Sequence, residues 1–497
     1  MNRAAFSRDF TASIVVFLVA MPLCMGIAIA SGVPAERGLL TGIIGGIVVG
    51  ALAGSPLQVS GPAAGLAVIV YEIVRSQGLS ALGPILMLAG LVQLAAGALR
   101  LGQWFRAISP AVVHGMLAGI GALIVLGQLH VLMDHAPLHS GLANLLAIPG
   151  AFIGLSPTMG QAEAALVVGV CTIAAMLLWE KLRPAKLKLV PGALVGVLAG
   201  TAASLIFAFD VKRIEVPDSL FASLSLPAFA DLSRLADPSI LLSAVVIAFI
   251  ASAETLLSAA AVDRMHNGVR SKYNRELMAQ GVGNALCGLV GALPMTGVIV
   301  RSSANVQAGA ATRLSAILHG VWILAFVALL PGLLKQIPMA ALAGILVVTG
   351  WRLISLKHVR HLFQQYGLLP AAIWAATFAM VVAHDLLTGV LVGLGLSVLE
   401  LLPHLKRLHL RVRREPSAED EAHALHLEGS ATFVQLPKLA AALESLPPGP
   451  VRLTLKGVAY VDHTCAELIE DWLARRRAAG HAVELDHGEV RPFALAA

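Results

Sequence analysis

The 497-residue chain is much more apolar than a soluble globular protein, with 57% hydrophobic and only 13% charged residues. Its mean hydropathy of +0.82 indicates an integral membrane protein. The net charge of +6 comes from short loops and from the region after Pro403, so it gives no indication of nucleic-acid binding. The four cysteines have neither metal nor disulfide spacing, and we predict no metal and no cofactor.

The apolar runs predict twelve long transmembrane segments and two short ones. A bilayer core of about 30 Å requires about 20 apolar helical residues. The long segments lie near residues 11–30, 37–54, 82–99, 109–131, 164–180, 190–209, 238–262, 276–293, 314–333, 338–354, 367–383 and 385–402. The short segments cover residues 63–74 and 298–310, and each follows a break rich in proline and glycine.

Lysine and arginine concentrate in the loops that follow even-numbered segments. Because positive charge marks the cytoplasmic side of a membrane protein, this alternation supports fourteen segments with both termini in the cytoplasm. Loops after odd-numbered segments, such as residues 134–163, are poorer in positive charge or mixed. The two short segments are the third and the tenth, seven apart, which predicts a 7+7 inverted repeat in an α-helical membrane protein.

The short segments carry the predicted binding site. Segment three begins Gly61-Pro62-Ala63-Ala64-Gly65, and segment ten begins Thr296-Gly297-Val298-Ile299. A helix that starts inside the membrane exposes unpaired N–H groups at the positive end of its dipole, and such an end binds anions. In an inverted repeat the two N-termini face each other, and Arg301 adds a full positive charge. The predicted anion contacts are Ala63, Ala64, Gly65, Gly297, Val298, Ile299, Val300 and Arg301.

Glu254 is the second predicted functional residue. It lies inside an apolar segment, where an ionisable side chain is costly and marks a functional site by default. Desolvation favours the neutral form of such a carboxyl group, so Glu254 could couple anion entry to a proton. Thr255 and Ser258 offer hydroxyl groups to a ligand or a cation. A structural ion pair between Glu254 and Arg301 is the alternative interpretation.

The chain changes character after Pro403. A linker at residues 404–421, first basic and then acidic, leads to a predicted domain at residues 422–497. The pattern there reads strand, helix, strand, helix, strand in HALHLEG, FVQLPKLAAALESL, VRLTLKGVAYVD, CAELIEDWLARRRAAG and HAVELDH. This alternation favours a small α/β domain.

Four blocks of sequence resemble the SulP (sulfate permease) family of anion transporters, whose members include prestin, pendrin and a cyanobacterial bicarbonate transporter. The blocks are MPLCMGIAIASGVPAERGLLTGIIGGIVVGALAGSPLQVSGPAAGLAVIV, SAETLLSAAAVD, AQGVGNALCGLVGALPMTGVIVRSSANVQAGA and AYVDHTCAELIEDW. The last block is similar to the STAS domain. The resemblance covers nearly the whole chain.

The resemblance implies a uracil-permease-like fold for residues 1–403. The core would comprise segments 1–4 and 8–11, and the gate would comprise segments 5–7 and 12–14. Members of the family are usually homodimers in the membrane lipid, and they work by an elevator motion.

The resemblance also implies roles for single residues. In the sodium-coupled bicarbonate member an Asp matches Glu254 and a Thr matches Ser258. A further hydroxyl of that member falls at Ile299, and the anion-site Ser of prestin-like members falls at Val300. The loss of these oxygens favours a proton over sodium as the coupling ion. Arg301 matches the family's arginine beside the site.

The tail departs from the family pattern at one motif. Soluble relatives of the STAS domain carry a phosphorylatable Asp-Ser-Ser-Gly, whereas this chain has Asp462-His463-Thr464-Cys465. The departure argues against phosphoregulation and favours a role in packing or dimer support.

Together these features predict proton-coupled secondary transport of a small anion in a bacterial inner membrane. Bicarbonate is the first expected substrate, followed by a C4-dicarboxylate or sulfate. An uncoupled anion channel or uniporter, a sodium-coupled bicarbonate symporter, and a sensor with a membrane anchor remain as alternatives. The chain has no nucleotide loop, nucleophile motif or metal signature, so an enzyme is not predicted.

Overall fold

The computed structural model describes residues 3–102, 109–138, 140–154, 160–187, 189–215, 237–266, 268–355, 359–360, 363–364, 367–401, 409–415, 423–447 and 449–486. The chain divides into two compact units. The first takes in residues 1–102, 120–354 and 382–384, and the second takes in residues 103–119, 355–381 and 385–497, each as far as it is described. The residues of the predicted anion site all belong to the first unit.

Fifteen helices are described before residue 402. The first eight are α1 (Arg3–Ala30), α2 (Ala35–Ile44, continued by a π-helical turn, Gly45–Val49, and by Gly50–Leu52), α3 (Ala67–Gln77), α4 (Leu82–Ala98), α5 (Pro110–Leu132), α6 (Gly141–Ile153), α7 (Gln161–Leu182) and α8 (Gly192–Ile206). The next seven are α9 (Pro238–Arg264), α10 (Tyr273–Val290), α11 (Ile299–Gln307), α12 (Leu314–Leu329), α13 (Met339–Leu353), α14 (Leu368–Ala383) and α15 (Leu386–Leu401). Shorter helical turns connect some of them.

Each of the fourteen predicted segments overlaps one of these helices. Within the described residues, six helical stretches are long and apolar enough to cross a membrane, namely Ala5–Ala30, Ala35–Leu52, Leu79–Ala98, Pro110–Leu132, Gln161–Leu182 and Pro238–Arg264. The other apolar helices have 10–17 residues. The helical content and the positions of the helices therefore follow the apolar pattern of the sequence.

Helix α6 was not predicted, because residues 134–163 were assigned to a loop. Its first turn is capped by Ser140, whose Oγ accepts a hydrogen bond of 3.1 Å from the Ala143 N–H. Pro149 lies inside the helix and interrupts its apolar run, which made the segment resemble a loop. The helix is 13 residues long, too short for the length criterion used to predict a span.

Two short helices begin at a pair of strands inside the first unit. Strand β1 (Ser60–Pro62) pairs antiparallel with strand β2 (Met295–Gly297), with Gly61 opposite Thr296. A 3₁₀ turn, Ala64–Leu66, and then α3 follow β1, while α11 follows β2. With 11 and 9 residues, α3 and α11 are only about 17 and 14 Å long, which is about half of a bilayer core.

A buried aspartate fixes the far end of α11 to the N-terminal helix. Asp9 of α1 is fully buried and accepts hydrogen bonds from the N–H groups of Ala311 (2.7 Å) and Thr312 (3.0 Å). The Thr312 hydroxyl donates to the other carboxylate oxygen at 2.5 Å. Because every carboxylate bond goes to the loop after α11, Asp9 holds the end of that half-helix in place.

The second unit ends in a four-stranded sheet. Its strands are β3 (Leu410–Glu415), β4 (His423–Ala431), β5 (Val451–Val461) and β6 (Val483–Asp486), in the order β3-β4-β5-β6. Strands β4, β5 and β6 are parallel, and β3 is antiparallel to β4. Helices α16 (Leu436–Glu444) and α17 (His463–Ala478) connect the parallel strands. This order confirms the predicted strand and helix sequence of the tail.

Strand β3 falls inside the predicted linker, of which residues 404–408 and 416–421 lie outside the described residues. The sequence LRVRRE pairs in continuous register with β4, from Leu410 opposite Gly429 to Glu415 opposite Ala424. Leu410 is buried, and Val412 packs against the apolar core of this unit. The basic residues Arg411, Arg413 and Arg414 made the strand resemble a charged linker, although apolar and charged residues alternate over its first four positions.

Asp462 connects two elements of the tail, and its replacement by alanine is expected to destabilise that sheet. One carboxylate oxygen accepts a hydrogen bond of 2.8 Å from the Cys465 N–H at the start of α17, and the other accepts one from the Phe433 N–H. Losing both should cost about 2 kcal/mol of local stability. Hydrogen exchange of β4, β5 and α17 in the full chain would measure the loss. Asn at position 462 still caps the helix, so equal losses for Asp462→Asn and Asp462→Ala would contradict this account.

Candidate functional site

The strand pair brings the two predicted half-helix N-termini together. Beyond the three paired residues, the Val298 N–H donates to the Val59 carbonyl at 2.9 Å, and the Ala63 N–H donates to the Pro294 carbonyl at 3.4 Å. Antiparallel strands run in opposite directions, so the helices that follow them leave the pair in opposite directions. The starts of α3 and α11 therefore lie at opposite ends of the same three-residue strand pair.

Among the described residues, no side chain caps the first turn of either half-helix. The N-cap residues are Ala63, with φ −92° and ψ 118°, and Val298, with φ −101° and ψ 116°. Alanine and valine have no oxygen with which to accept hydrogen bonds from the first N–H groups. The N–H groups of Ala64, Gly65, Ile299 and Val300 are therefore left to a ligand or to water.

Gly297 has a different environment from the other predicted anion contacts. Its N–H donates to the Thr255 hydroxyl at 3.1 Å, and the Gln58 side chain donates to the Thr255 carbonyl at 3.0 Å. A Cβ atom at position 297 would collide with Gln58. The hydrogen bond between Gly297 and Thr255 thus joins β2 to α9, and the Thr255 hydroxyl is used within the protein.

Arg301 is fully buried, and its three guanidinium nitrogens have no oxygen or nitrogen partner for a hydrogen bond among the described residues, although the Cys24 thiol lies within reach. It lies in the first turn of α11, and its side chain reaches β1, where a Cβ atom at Gly61 would collide with Nη1. No ion pair joins Arg301 to Glu254 within the described part of the chain. A buried charge without a counter-charge among the described residues costs several kcal/mol, so an anion bound beside it would stabilise this arrangement.

Glu254 lies at the other half-helix. A Cβ atom added to Gly65 would be 2.8 Å from Glu254 Oε2, so the carboxyl group covers the first turn after β1. Oε2 is buried without a hydrogen-bond partner, as is the Thr296 hydroxyl, which lies within reach of the carboxyl group. Ser258, one turn further along α9, is buried and makes no side-chain hydrogen bond to another described residue. The predicted residues therefore lie around the strand pair, with Arg301 against Gly61 and Glu254 beside Gly65 and Thr296.

Three buried polar residues of α10 support the strands and were not predicted. Glu276 accepts hydrogen bonds from the N–H groups of Gly54 (2.8 Å) and Ser55 (2.9 Å), just before β1. Gln280 and Asn284 follow at four-residue intervals on the same helix face, and both are fully buried. Polar residues at four-residue intervals in an apolar segment are visible in the sequence, and this spacing could have predicted a buried polar face on α10.

These observations define a helical membrane protein in which two half-helices with uncapped N-termini begin at one strand pair, an arrangement typical of secondary transporters. The model of the Sulfate permease family matches residues 6–377. The chain therefore belongs to the sulfate permease family, which confirms the resemblance found in its sequence.

Individual proteins of this family show how far the similarity extends. The chain is 30% identical to the "Putative sulfate transporter YvdB" of Bacillus subtilis, over 94% of this chain and 88% of the relative. The solved transmembrane domain of the cyanobacterial bicarbonate transporter BicA is 25% identical, with a TM-score of 0.66 over 78% of this chain and 98% of that one. The solved SLC26A9 structure has a TM-score of 0.69 at 16% identity, over 98% of this chain and 85% of that one. The relatives are transporters and not enzymes, as predicted.

Proposed function

We propose that this chain is a secondary transporter that binds a small anion between the N-termini of α3 and α11. The observation that supports it most strongly is Arg301, a fully buried cation that has no counter-charge among the described residues and lies beside the uncapped helix starts. The N–H groups of Ala64, Gly65, Ile299 and Val300 would bind the oxygens of the anion, and Arg301 would supply the field.

Bicarbonate is the proposed first substrate, with sulfate and a C4-dicarboxylate next. Relatives named for sulfate and bicarbonate support small oxyanions as a class. Backbone N–H groups recognise charge and oxygen geometry more than identity, so the choice among them needs a measurement. Uptake of bicarbonate, sulfate, chloride and fumarate into proteoliposomes tests it, and the absence of saturable uptake of any of these anions would contradict the proposal.

The coupling ion is proposed to be a proton bound at Glu254. In the neutral form the carboxyl group has a hydrogen to donate, and the Thr296 hydroxyl within its reach has no other partner. A sodium site needs several oxygens, yet Ile299 and Val300 have none in their side chains, and the Thr255 hydroxyl already accepts from Gly297. Sodium symport and an uncoupled channel or uniporter remain the alternatives that transport measurements must separate.

The transport cycle is proposed to be an elevator motion. The predicted core corresponds to α1–α4 and α9–α12, and the predicted gate corresponds to α5, α7, α8 and α13–α15. Both half-helices begin at the same strand pair, which supports a core that moves as one rigid body. We further propose a homodimer in a bacterial inner membrane, with both termini in the cytoplasm.

The tail is proposed to be a STAS domain that supports packing or dimerisation. Buried Asp462 and Thr464 lie at the start of α17, in the motif that departs from the phosphorylatable pattern. The alternative is a sensor whose membrane part is only an anchor.

Removal of the tail is expected to leave transport largely intact. The truncation should begin before residue 409, because β3 pairs with β4 and would otherwise remain as an unpaired strand. The half-helices and Arg301 are unaffected, so the KM for the anion should stay within about twofold while the amount of dimer falls. Complete loss of uptake by a truncated protein that remains folded and inserted would favour the sensor alternative.

A further inference from the structure

Two amide side chains of α10 bind one strand each of the pair that carries the half-helices. The Gln280 Nε2 group donates to the Ser60 hydroxyl of β1 at 2.7 Å. Asn284 accepts from the Met295 N–H of β2 at 2.8 Å and donates to the Met295 carbonyl at 3.1 Å. Asn284 thus bonds to both the N–H and the carbonyl group of Met295, as a residue of a neighbouring strand would. Strand β2 is therefore held by this side chain as well as by β1.

The spacing of these two residues is set by the helix. Residues four apart lie one above the other on a helix face, separated by about 6 Å along its axis. A rigid helix that contacts β1 through Gln280 and β2 through Asn284 therefore fixes the two strands relative to each other. The starts of α3 and α11 follow these strands directly, so their separation is fixed as well.

The same network extends to the helix that carries Glu254. The Asn284 Nδ2 group also donates to Gln93 Oε1 at 2.8 Å, and the Gln93 Nε2 group donates to the Ser252 hydroxyl at 3.2 Å. Ser252 lies in α9, two residues before Glu254. Since none of Asn284, Gln93 and Ser252 titrates, the network keeps its hydrogen bonds in either protonation state of Glu254.

We infer that Asn284 and Gln280 are positioning residues of the anion site, which hold the two half-helix N-termini at the separation that fits the substrate. This inference rests on the proposed function, because it concerns the same site. Neither side chain is placed to contact the anion: Asn284 acts on the backbone of β2, and Gln280 acts on the Ser60 hydroxyl of β1. Their loss should change the affinity and size selectivity of the site, in addition to any loss of stability.

The chain offers a matched control for this inference. Asn144 is also buried and makes the same pair of backbone bonds, accepting from the Leu138 N–H at 2.9 Å and donating to the Leu138 carbonyl at 3.0 Å. Both Asn144 and Leu138 lie outside β1, β2, α3 and α11. Asn144→Leu therefore removes comparable hydrogen bonds without acting on the strands of the site.

The test is anion uptake by proteoliposomes as a function of concentration, with the melting temperature measured on the same preparations. Asn284→Leu is expected to raise the KM about tenfold and to change the ratio of sulfate to bicarbonate uptake. Asn144→Leu should leave the KM within about twofold, although its melting temperature falls similarly. Gln93→Leu removes the two outer bonds of the network, to Asn284 and to Ser252, and leaves the bonds between Asn284 and Met295. It should raise the KM about threefold and serves as the readout if Asn284→Leu does not fold.

Equal changes in KM for Asn284→Leu and Asn144→Leu would overturn the inference. So would a Gln93→Leu or Asn284→Leu protein with fewer folded molecules but unchanged KM and unchanged selectivity. Wild-type protein without saturable uptake would instead overturn the proposed function, and the inference with it.

Discussion

Replacement of Arg301 by methionine is expected to abolish saturable anion uptake while the protein stays folded, at the same or a higher melting temperature. Its buried guanidinium has no oxygen or nitrogen partner in the described chain, so its removal eliminates a desolvation cost without breaking a strong hydrogen bond. The anion loses charge-assisted interactions of about 3 kcal/mol, which corresponds to about 100-fold in affinity. Concentration-dependent uptake and thermal unfolding measure the two effects.

Arg301→Lys is the matched control, because it keeps the positive charge and removes the planar fork of donors. Its affinity should lie between those of the wild type and Arg301→Met. A methionine variant that unfolds at a much lower temperature would show that Arg301 is a structural residue with a partner. Unchanged uptake by Arg301→Met would contradict the proposal that the anion binds beside Arg301.

Replacement of Glu254 by glutamine is expected to abolish the dependence of uptake on a proton gradient while sparing anion exchange. Glutamine has a shape similar to that of the neutral carboxyl group and can donate to Thr296, but it cannot release a proton. An inward gradient of one pH unit is equivalent to about 1.4 kcal/mol, so the wild type should accumulate the anion about tenfold. Glu254→Gln should reach equal concentrations on both sides and continue to exchange labelled for unlabelled anion.

Glu254→Asp retains a titratable group on a shorter side chain and controls for the change in size. It should keep part of the gradient-driven accumulation. Gradient-independent flux through the wild type would favour the channel or uniporter. Accumulation that requires a sodium gradient would favour the symport alternative.

The helices and the half-helix breaks could be predicted from the sequence, because apolar runs and proline or glycine positions report directly on the backbone in a membrane. The strand pair could not. Strands β1 and β2 have three residues each, and a three-residue strand has no detectable alternation. Their register depends on contacts with a segment more than 230 positions away, which local patterns do not contain.

The roles of polar side chains were predicted less well than their positions. Thr255 was expected to offer its hydroxyl to a ligand, yet it accepts from the Gly297 N–H instead. Gln280 and Asn284 occur in a block that carried the family resemblance, but the partners that define their role lie on β1 and β2. A hydrogen-bond partner distant in sequence is a property of the fold, and a single sequence does not report it.

Binding of the anion to purified protein tests the central claim most directly. Titration calorimetry with bicarbonate and with sulfate should show one saturable site per chain in the wild type and in Glu254→Gln, and no measurable site in Arg301→Met. Binding by Arg301→Met equal to that of the wild type would contradict the placement of the anion between the two half-helices.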